Sequence, residues 1–393
     1  SKADMKFYHS DVANGPVLNG AVGSLAELLD AVLVDGYGLK STTGATIASG
    51  VCTLTVTGGH AADVLMTVLV AGATGSFTGL NGEHVVTAKG ANTVSFATAL
   101  TGTPTGTITF KVAPLGWTRA FTGTGKRAFK SGSLLSTGCF LRVSDTATGS
   151  ADVRVVGYEN MTDVDTGTKP FPTDAQMSGG LYWPKSDSSD SSARGWDIWG
   201  DDRLFYIKLR APATSYAPGP IFYFGDPISF KPGDAYGCVI SGHRANTAGG
   251  IAASYQVGSI GYNQATSAAE NGYIARGASG ASGAVPYTHQ ALFGYNSGFS
   301  GSAGAMYRAF AFPNAVDSGL FVGPVHLMLD SGVRGKMPGA LHTPQNAVAS
   351  FANKAQIAGS GEYAGRVLEA TAVGTTSGGE AGVMFFDLTG PWR

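Results

Sequence analysis

Glycine is spread through this chain, occupying 58 of 393 positions, about twice the share of an ordinary globular domain. Its neighbours are mostly threonine, serine, alanine and valine. Glycine weakens a helix, and this mixture favours short strands joined by tight turns, so a helical bundle is excluded. The sequence predicts a mainly β protein with β-sandwich or barrel-type domains, one N-terminal amphipathic helix and long glycine-rich loops.

Charged residues are scarce, at 13% of the chain against about 25% in typical domains. A poorly charged surface disperses a free monomer badly, so the composition favours a subunit of a permanent assembly that contacts other copies of itself. The formal net charge is -1. No strongly basic face is implied, and we expect no nucleic acid partner.

The cysteines Cys52, Cys139 and Cys238 lie far apart and form no C-x-x-C pair. This spacing favours reduced, buried thiols over a disulfide framework or a zinc site. The first ten residues contain no apolar signal-like region. No uninterrupted apolar run approaches the ~18 residues of a membrane span, so none is expected.

One amphipathic helix is predicted near the start of the chain. Ser24 followed by Glu27 matches a capping box, with Ser24 as N-cap. Gly36 or Gly38 ends the helix. Its apolar stripe comprises Leu25, Leu28, Leu29, Val32 and Leu33.

Three domains are predicted from changes in texture along the chain. Residues 1–40 and 113–233 form a main β domain that includes the helix. Residues 41–112 form an inserted small β module, which contains a hairpin at 85–96. Residues 234–393 form a Gly/Ala-rich C-terminal β domain.

Two finer features are predicted within these domains. Residues 163–192 are expected to form one long loop that ends in an exposed polar tip, because proline, serine and aspartate dominate there. Residues 320–322 are expected to form a strand, because they are continuously apolar.

Sequence motifs of catalysis are missing from the chain. It has no G-x-S-x-G, no Walker A run, no G-x-G-x-x-G and no H-x-x-x-H. We therefore predict a non-enzymatic protein with no catalytic residue, no cofactor and no metal site. Paired carboxylates could serve a glycosidase or a Ca²⁺ site, but solvated turn residues are the favoured interpretation. The acidic candidates are Glu159, Asp163, Asp165, Asp187, Asp190, Asp201 and Asp202.

An aromatic cluster is the other candidate site. It comprises Tyr182, Trp183, Trp196 and Trp199. Exposed, these rings could stack on the sugars of a host surface glycan; buried, they are core or interface anchors. Burial is the favoured interpretation.

Several short stretches carry a resemblance to a known family. They are Lys6–Ser10, Gly15–Leu18, Gly23–Leu25, Leu33–Gly38, Gly116–Trp117, Phe121–Thr124, Leu141–Val143 with Asp145, Gly157–Val164, Thr166–Thr173, Ser178–Trp183, Arg334–Gly339 and Phe386–Trp392. Together they resemble a family of tailed-bacteriophage virion structural proteins. Residues 41–112 separately resemble small β modules of phage tail and fibre proteins, through Gly59-His60, Val70–Ala73, Leu80–Glu83 and Asn92–Val94.

The resemblance implies a structural role in a virion assembled in the host bacterial cytoplasm. A tail-tip, baseplate or minor tail position is preferred, with contacts to other copies of the chain and to other virion proteins. A capsid decoration or head-to-tail accessory protein is the alternative in the same class. A host-glycan-binding or glycan-cleaving adhesin is the alternative of another class. The resemblance implies no catalytic residue.

Overall fold

The computed structural model describes residues 4–147, 153–213, 221–243, 272–290, 310–329, 332–343, 345–346, 350–374 and 381–393. These residues form a mainly β protein with one short helix near the N-terminus, so the predicted fold class is confirmed. Short strands alternate with turns, as the glycine content requires.

The strands are numbered in chain order. The first half comprises β1 Lys6–His9, β2 Tyr37–Ser41, β3 Gly44–Ala48, β4 Val51–Thr55, β5 Thr67–Ala73, β6 Gly82–Lys89, β7 Thr93–Ala97, β8 Gly106–Val112, β9 Thr118–Gly123, β10 Lys126–Lys130, β11 Phe140–Ser144, β12 Arg154–Met161, β13 Gly167–Phe171 and β14 Leu181–Tyr182. The second half comprises β15 Gly195–Gly200, β16 Leu204–Arg210, β17 Ile221–Gly225, β18 Ile228–Ser229, β19 Val239–Ser241, β20 Gly272–Ile274, β21 Val285–Gln290, β22 Phe310–Ala311, β23 Gly323–Leu329, β24 Gly332–His342, β25 Gln345–Asn346, β26 Gln356–Ala358, β27 Val367–Gly374 and β28 Ala381–Asp387. The helical segments are α1 Ser24–Leu29, a π-helical continuation Asp30–Asp35, and 3₁₀ turns at Gly75–Leu80 and Gly361–Tyr363.

One large antiparallel sheet contains 13 strands of the described residues. Its order is β1-β15-β16-β17-β19-β20-β21-β23-β24-β28-β27-β26, with β18 beside β24. The sheet continues across positions 233 and 234, where the sequence analysis places a domain boundary, because β17 pairs with β19 and β18 with β24. The division into three domains stays a prediction.

The two ends of this large sheet pack on each other through aromatic rings. Trp199 of β15 stacks on Phe386 of β28 with centroids 4.2 Å apart, and Tyr206 of β16 lies 5.0 Å from the same ring. All three rings are fully buried. Such pairs add to the stabilisation that burial of the rings supplies. The sheet therefore closes over an aromatic core in a sandwich-like arrangement.

A second sheet covers the opposite face of β16 and β17. Its order is β13-β12-β11-β10-β9, with β14 beside β12. Successive residues of a strand point to opposite faces, so Phe205 and Phe224 point away from Tyr206. Trp117, which precedes β9, meets these two rings edge-on at 5.2 and 5.9 Å, and Trp183, which follows β14, meets Phe205 edge-on at 6.0 Å. The β16 and β17 strands are thus covered on both faces.

A third sheet, of order β2-β8-β5-β6-β7-β4-β3, holds residues 37–112. Its strand β6 changes partner from β5 to β7 along its length, so the sheet folds over its own buried side chains. The predicted hairpin at 85–96 is confirmed as β6 and β7. Lys6 Nζ lies 2.6 Å from Glu83 Oε1, and the Tyr8 hydroxyl donates to the Ala113 carbonyl at 2.9 Å. These contacts join the third sheet to β1 of the large sheet.

The helix stripe is confirmed, because all five of its predicted apolar residues are buried. The helical segment ends at Gly36, whose φ of 71° suits glycine. The capping box is wrong. Gly23 occupies the N-cap position, and the Ser24 hydroxyl accepts a hydrogen bond from the Asn19 amide at 2.8 Å instead of capping the helix. A carboxylate from outside the helix, Asp145, takes over that role.

Asp145 and Lys185 form an ion pair whose side chains are both 0% exposed. Asp145 Oδ2 accepts the Leu25 amide of the first helical turn at 2.8 Å. Lys185 Nζ also donates to the Ala21 carbonyl at 2.5 Å. The carboxylate at the helix N-terminus is favoured by the helix dipole. One buried pair therefore ties together segments that lie up to 164 positions apart.

Two of the finer sequence predictions are wrong. The expected loop 163–192 contains strands β13 and β14. Strand β13 is an edge strand, which tolerates Pro170 because only one side of it is hydrogen-bonded. The expected strand at 320–322 is a loop, since the Phe321 amide donates to Gln345 Oε1 at 2.6 Å instead of to a neighbouring strand. Part of the glycine-rich stretch 272–304, residues 291–304, lies outside the described residues.

We predict that Lys185→Met lowers the free energy of unfolding by about 3–5 kcal/mol, because the buried Asp145 carboxylate loses its counter-charge. Urea unfolding followed by tryptophan fluorescence measures the change. The matched control is Lys126→Met, whose partner Asp165 is 51% exposed, and which should cost less than about 1 kcal/mol. Equal effects of the two variants would contradict the prediction.

Candidate functional site

The three tryptophans of the predicted aromatic cluster lie inside the protein. Trp183 and Trp196 are 0% exposed and Trp199 is 1% exposed. Their indole N–H groups donate to the Ser241 carbonyl, the Pro16 carbonyl and Glu369 Oε1 at 2.7, 3.3 and 3.0 Å. Each ring thus has an apolar environment and a satisfied polar edge. None of the three offers a face on which a sugar could stack.

Tyr182 is half-buried, unlike the tryptophans. The guanidinium carbon of Arg154 lies 4.0 Å from the centre of its ring. A cation over the ring face is a favourable contact. It also covers one face of the ring, which a sugar could otherwise use.

The carboxylates near residue 160 are held by cations. Glu159 forms a two-point contact with Arg276 at 2.5 and 2.6 Å. Asp165 lies 2.9 Å from Lys126 Nζ and 2.5 Å from Arg142. The hydrogen bond from Lys126 holds the pKa of Asp165 below its usual range, and Arg142 acts in the same direction. Each carboxylate is thus paired with a cation, and the interpretation as a solvated turn residue is wrong for Glu159, which lies in strand β12 and is 13% exposed.

Asp163 stands exposed beside this group. Its pKa is lowered chiefly by a side-chain hydrogen bond from Thr166 and further by the Asp165 amide, which donates to Asp163 Oδ1 at 2.7 Å. These bonds are those of a turn carboxylate. The favoured interpretation as a turn residue is confirmed for Asp163.

The polar tip at 186–192 folds around one buried arginine. The Arg194 side chain is 0% exposed and lies 2.8 Å from Asp187 and 3.0 Å from Asp190. It also donates to the Ala211 and Ser192 carbonyls at 2.6 and 2.7 Å. Both carboxylates are exposed, as the sequence analysis predicts for this tip, and both are paired. Arg194 therefore holds this loop in place through its ion pairs and hydrogen bonds.

The neighbours Asp201 and Asp202 differ in environment. Asp201 is buried, accepts the Arg203 and Leu204 amides at 2.8 Å each, and pairs with Arg393 at 2.6 Å. Asp202 is 53% exposed, and its nearest cation, Arg203, is 3.7 Å away. The interpretation as solvated turn residues is therefore confirmed for Asp202 and wrong for Asp201. Asp201 stabilises the turn between β15 and β16, because its carboxylate accepts hydrogen bonds from the Arg203 and Leu204 backbone amides.

A buried charged cluster lies between the two ends of the large sheet. His9, Asp197 and Lys208 stand opposite each other on β1, β15 and β16, and so share one face. Asp197 lies 2.6 Å from Lys354 Nζ and 3.5 Å from Arg210. Glu369 also belongs to this group, and its carboxylate accepts the hydrogen bond from the Trp199 indole N–H. We refer to Asp197, Lys208, Arg210, Lys354 and Glu369 as the charged cluster.

Burial shifts the titration of this charged cluster. It lowers the pKa of Lys208 to about 7, against the opposing attraction of Asp197. It raises the pKa of Glu369 to about 7, with Asp197 adding to the effect. Burial also opposes the ionisation of Asp197, but Lys354 and Arg210 outweigh it and hold the pKa of Asp197 below its usual range. Shifted groups of this kind occur at functional sites and also in structural ion-pair networks.

The surface carries two clefts that border one exposed apolar loop. A cleft of about 420 Å³ is lined by Gly132, Ser133 and neighbours on β1 and the 201–203 turn. A cleft of about 510 Å³ is lined by Leu135 and by residues 226–237. Between them stand Leu134, 101% exposed, and Leu135, 78% exposed. We call these two residues the leucine pair.

Neither the charged cluster nor the leucine pair was found by sequence reasoning. The neighbours of Lys208 along strand β16 are apolar, and a lysine among apolar strand residues is a sequence signal for a buried charge. Two adjacent leucines inside the run SGSLLSTG are a similar contrast, since turn residues surround them.

The chain matches no protein-family model and no curated protein. Among the described residues, no cluster of three or more histidine, cysteine, aspartate or glutamate side chains has a geometry suited to a metal ion. Cys52, Cys139 and Cys238 are buried and free. In that same part of the chain, no helix has the length and apolar character that crossing a membrane requires.

We predict that Asp201→Asn and Asp202→Asn differ in cost. The first should lower the free energy of unfolding by about 2 kcal/mol, because it removes a buried charge from Arg393. The second should change it by less than about 0.5 kcal/mol, as exposed substitutions do. Chemical denaturation of both variants compares adjacent positions of one turn. A larger cost at position 202 than at 201 would show that the assignment is reversed.

We predict that Glu369→Gln removes a pH-dependent part of stability. A raised carboxyl pKa contributes stability that is present below pH 4.5 and is lost as pH rises to about 7. Glutamine stays neutral, so relative to wild type the variant should gain on the order of 2 kcal/mol across this window. Urea unfolding at pH 4.5, 6 and 7.5 measures the gain.

The control for this titration is Glu362→Gln, at an exposed position of the second 3₁₀ turn. Its stability difference from wild type should stay flat with pH. A flat profile for Glu369→Gln as well would mean that Glu369 is ionised in the folded protein throughout the window.

Proposed function

We propose that this chain is a non-enzymatic structural component of a bacteriophage virion. We place it in the tail tip or baseplate, or as a minor tail protein, where it contacts other copies of itself and other virion proteins. The short stretches that resemble tailed-phage virion proteins support the assignment to a phage particle. The surface of the chain supports the structural role.

The observation that carries the structural role is the leucine pair. Leu134 and Leu135 are adjacent, almost fully exposed and placed on an ordered loop. A monomer gains nothing from such exposure, whereas a subunit can cover both side chains at a contact. The low charge of the chain acts in the same direction, because few charged groups must be desolvated when subunits meet.

The state of the candidate carboxylates supports a non-enzymatic role. A glycosidase needs one protonated carboxylic acid and one ionised carboxylate on either side of the scissile bond. The pKa values of Asp163, Asp165 and Asp190 are all lowered, so each is ionised near neutral pH. Asp165 and Asp190 are also neutralised by adjacent cations. None of these three carboxylates can therefore supply the protonated acid near neutral pH.

Gold-labelled antibodies raised against the purified chain test the position in the particle. We expect label at the tail end of negatively stained virions, because the tail-tip, baseplate and minor tail positions all lie there. Label over the capsid would indicate the decoration or head-to-tail alternative. Label on a distal fibre would indicate the adhesin alternative. Unlabelled particles, with the protein present in infected cells, would contradict the proposal.

A further inference from the structure

The loop that carries the leucine pair is anchored at both ends. The Ser131 hydroxyl donates to the Asp202 carbonyl at 2.5 Å. The Thr137 amide and hydroxyl donate to the Asp226 carboxylate at 2.7 and 2.6 Å. The leucines are therefore presented on a fixed backbone, and little conformational entropy is lost when a partner covers them.

The same loop separates two clefts of different charge. In the first cleft, Glu83 is paired with Lys6 and Asp201 with Arg393, and the exposed carboxylates at its surface are Asp4 and Asp202, of which Asp202 lies 3.7 Å from Arg203. We call it the acidic cleft.

The second cleft has the opposite character. Asp226 is buried against Thr137, and Asp234 is paired with Arg334 at 2.8 Å. Lys231, Arg203 and Arg393 are its cations, and the two arginines also line the acidic cleft, so Lys231 is the cation found in the basic cleft alone. We call it the basic cleft. Along the loop the order is acidic cleft, leucine pair, basic cleft.

This order is self-complementary. A twofold axis through the leucine pair would set the acidic cleft of one copy against the basic cleft of its partner, and would do so twice. We infer that the 131–138 loop and its two clefts form a twofold contact between copies of this chain, with the leucine pairs packed at the axis. The inference rests on the proposed structural role and names its self-contact. A central apolar anchor inside a charged rim is the usual composition of such a contact.

Sedimentation velocity of the full chain over a range of concentrations tests the apolar anchor. We expect a monomer–dimer equilibrium, and we expect the double variant Leu134→Ser/Leu135→Ser to raise the dissociation constant at least tenfold. The matched control is Val316→Ser, which removes a side chain that is 92% exposed elsewhere on the surface. It should leave the dissociation constant unchanged.

A charge exchange tests the twofold geometry. Asp202→Lys and Lys231→Glu should each weaken the dimer, because each brings like charges together at both rims. An equimolar mixture of the two variants should recover dimer, since the two introduced charges then face each other with opposite signs at one rim and the native Asp202–Lys231 pair is kept at the other. Circular dichroism and thermal unfolding check that each variant is folded.

The outcomes separate the inference from the proposed function. A wild-type chain that stays monomeric overturns the inference, even if the leucines then bind a different protein. Self-association that neither the leucine nor the charge variants affect also overturns it, while a structural role through another surface stands. Recovery in the mixture, with no label on virions, supports the contact and contradicts the virion role.

Discussion

The stacking of Trp199 on Phe386 closes the large sheet on itself. It joins β15 to β28, which lie 181 positions or more apart in sequence. Rings of this size each bury roughly 150–250 Å², and at about 25 cal/mol per Å² each contributes on the order of 5 kcal/mol. The same Trp199 side chain also makes a polar contact, because its indole N–H donates a hydrogen bond to Glu369. The charged cluster therefore has its position set by an aromatic pair.

A chain with few charges places several of them inside. The pairs Lys185–Asp145 and Arg334–Asp234 are buried, and the charged cluster adds Asp197, Lys208 and Glu369. Buried pairs add little net stability compared with apolar residues, but removing one partner is costly. An alternative packing of the sheets that separated these buried pairs would therefore be costly, although the sheets are otherwise rich in small side chains. The surface is left with fewer charges than the composition suggests.

Local pattern determines part of this structure and distant contacts determine the rest. The apolar stripe of the helix and the 85–96 hairpin follow from spacings of three to four and of two residues, so both could be predicted. The cap of the same helix comes from Asp145, about 120 positions away, which no local pattern reveals. Strand β13 was missed because it contains Pro170 and is followed by Pro172, although an edge strand accepts proline.

The same distinction between local and distant contacts holds for the candidate surface. The turn hydrogen bonds that Asp163 and Asp190 accept come from amides two positions further along the chain, so this turn chemistry is visible in the sequence. The burial of Asp201 depends on Arg393, and the two clefts bring together residues from four or more separate segments. Only the fold places these charges on opposite sides of one loop.

The pairing of β1 with β15 has a consequence for how the chain folds. His9 of β1 pairs with Asp197, and the charged cluster that contains Asp197 is complete only when Lys354 and Glu369 have been synthesised. Contacts this distant in sequence make folding slow, because a long loop must close before any contact is formed. During synthesis at about 5–20 residues per second, β1 remains unpaired for roughly ten seconds or more. Until β15 has been synthesised, its apolar Phe7 and Tyr8 cannot be covered by the strand pairing of the folded protein.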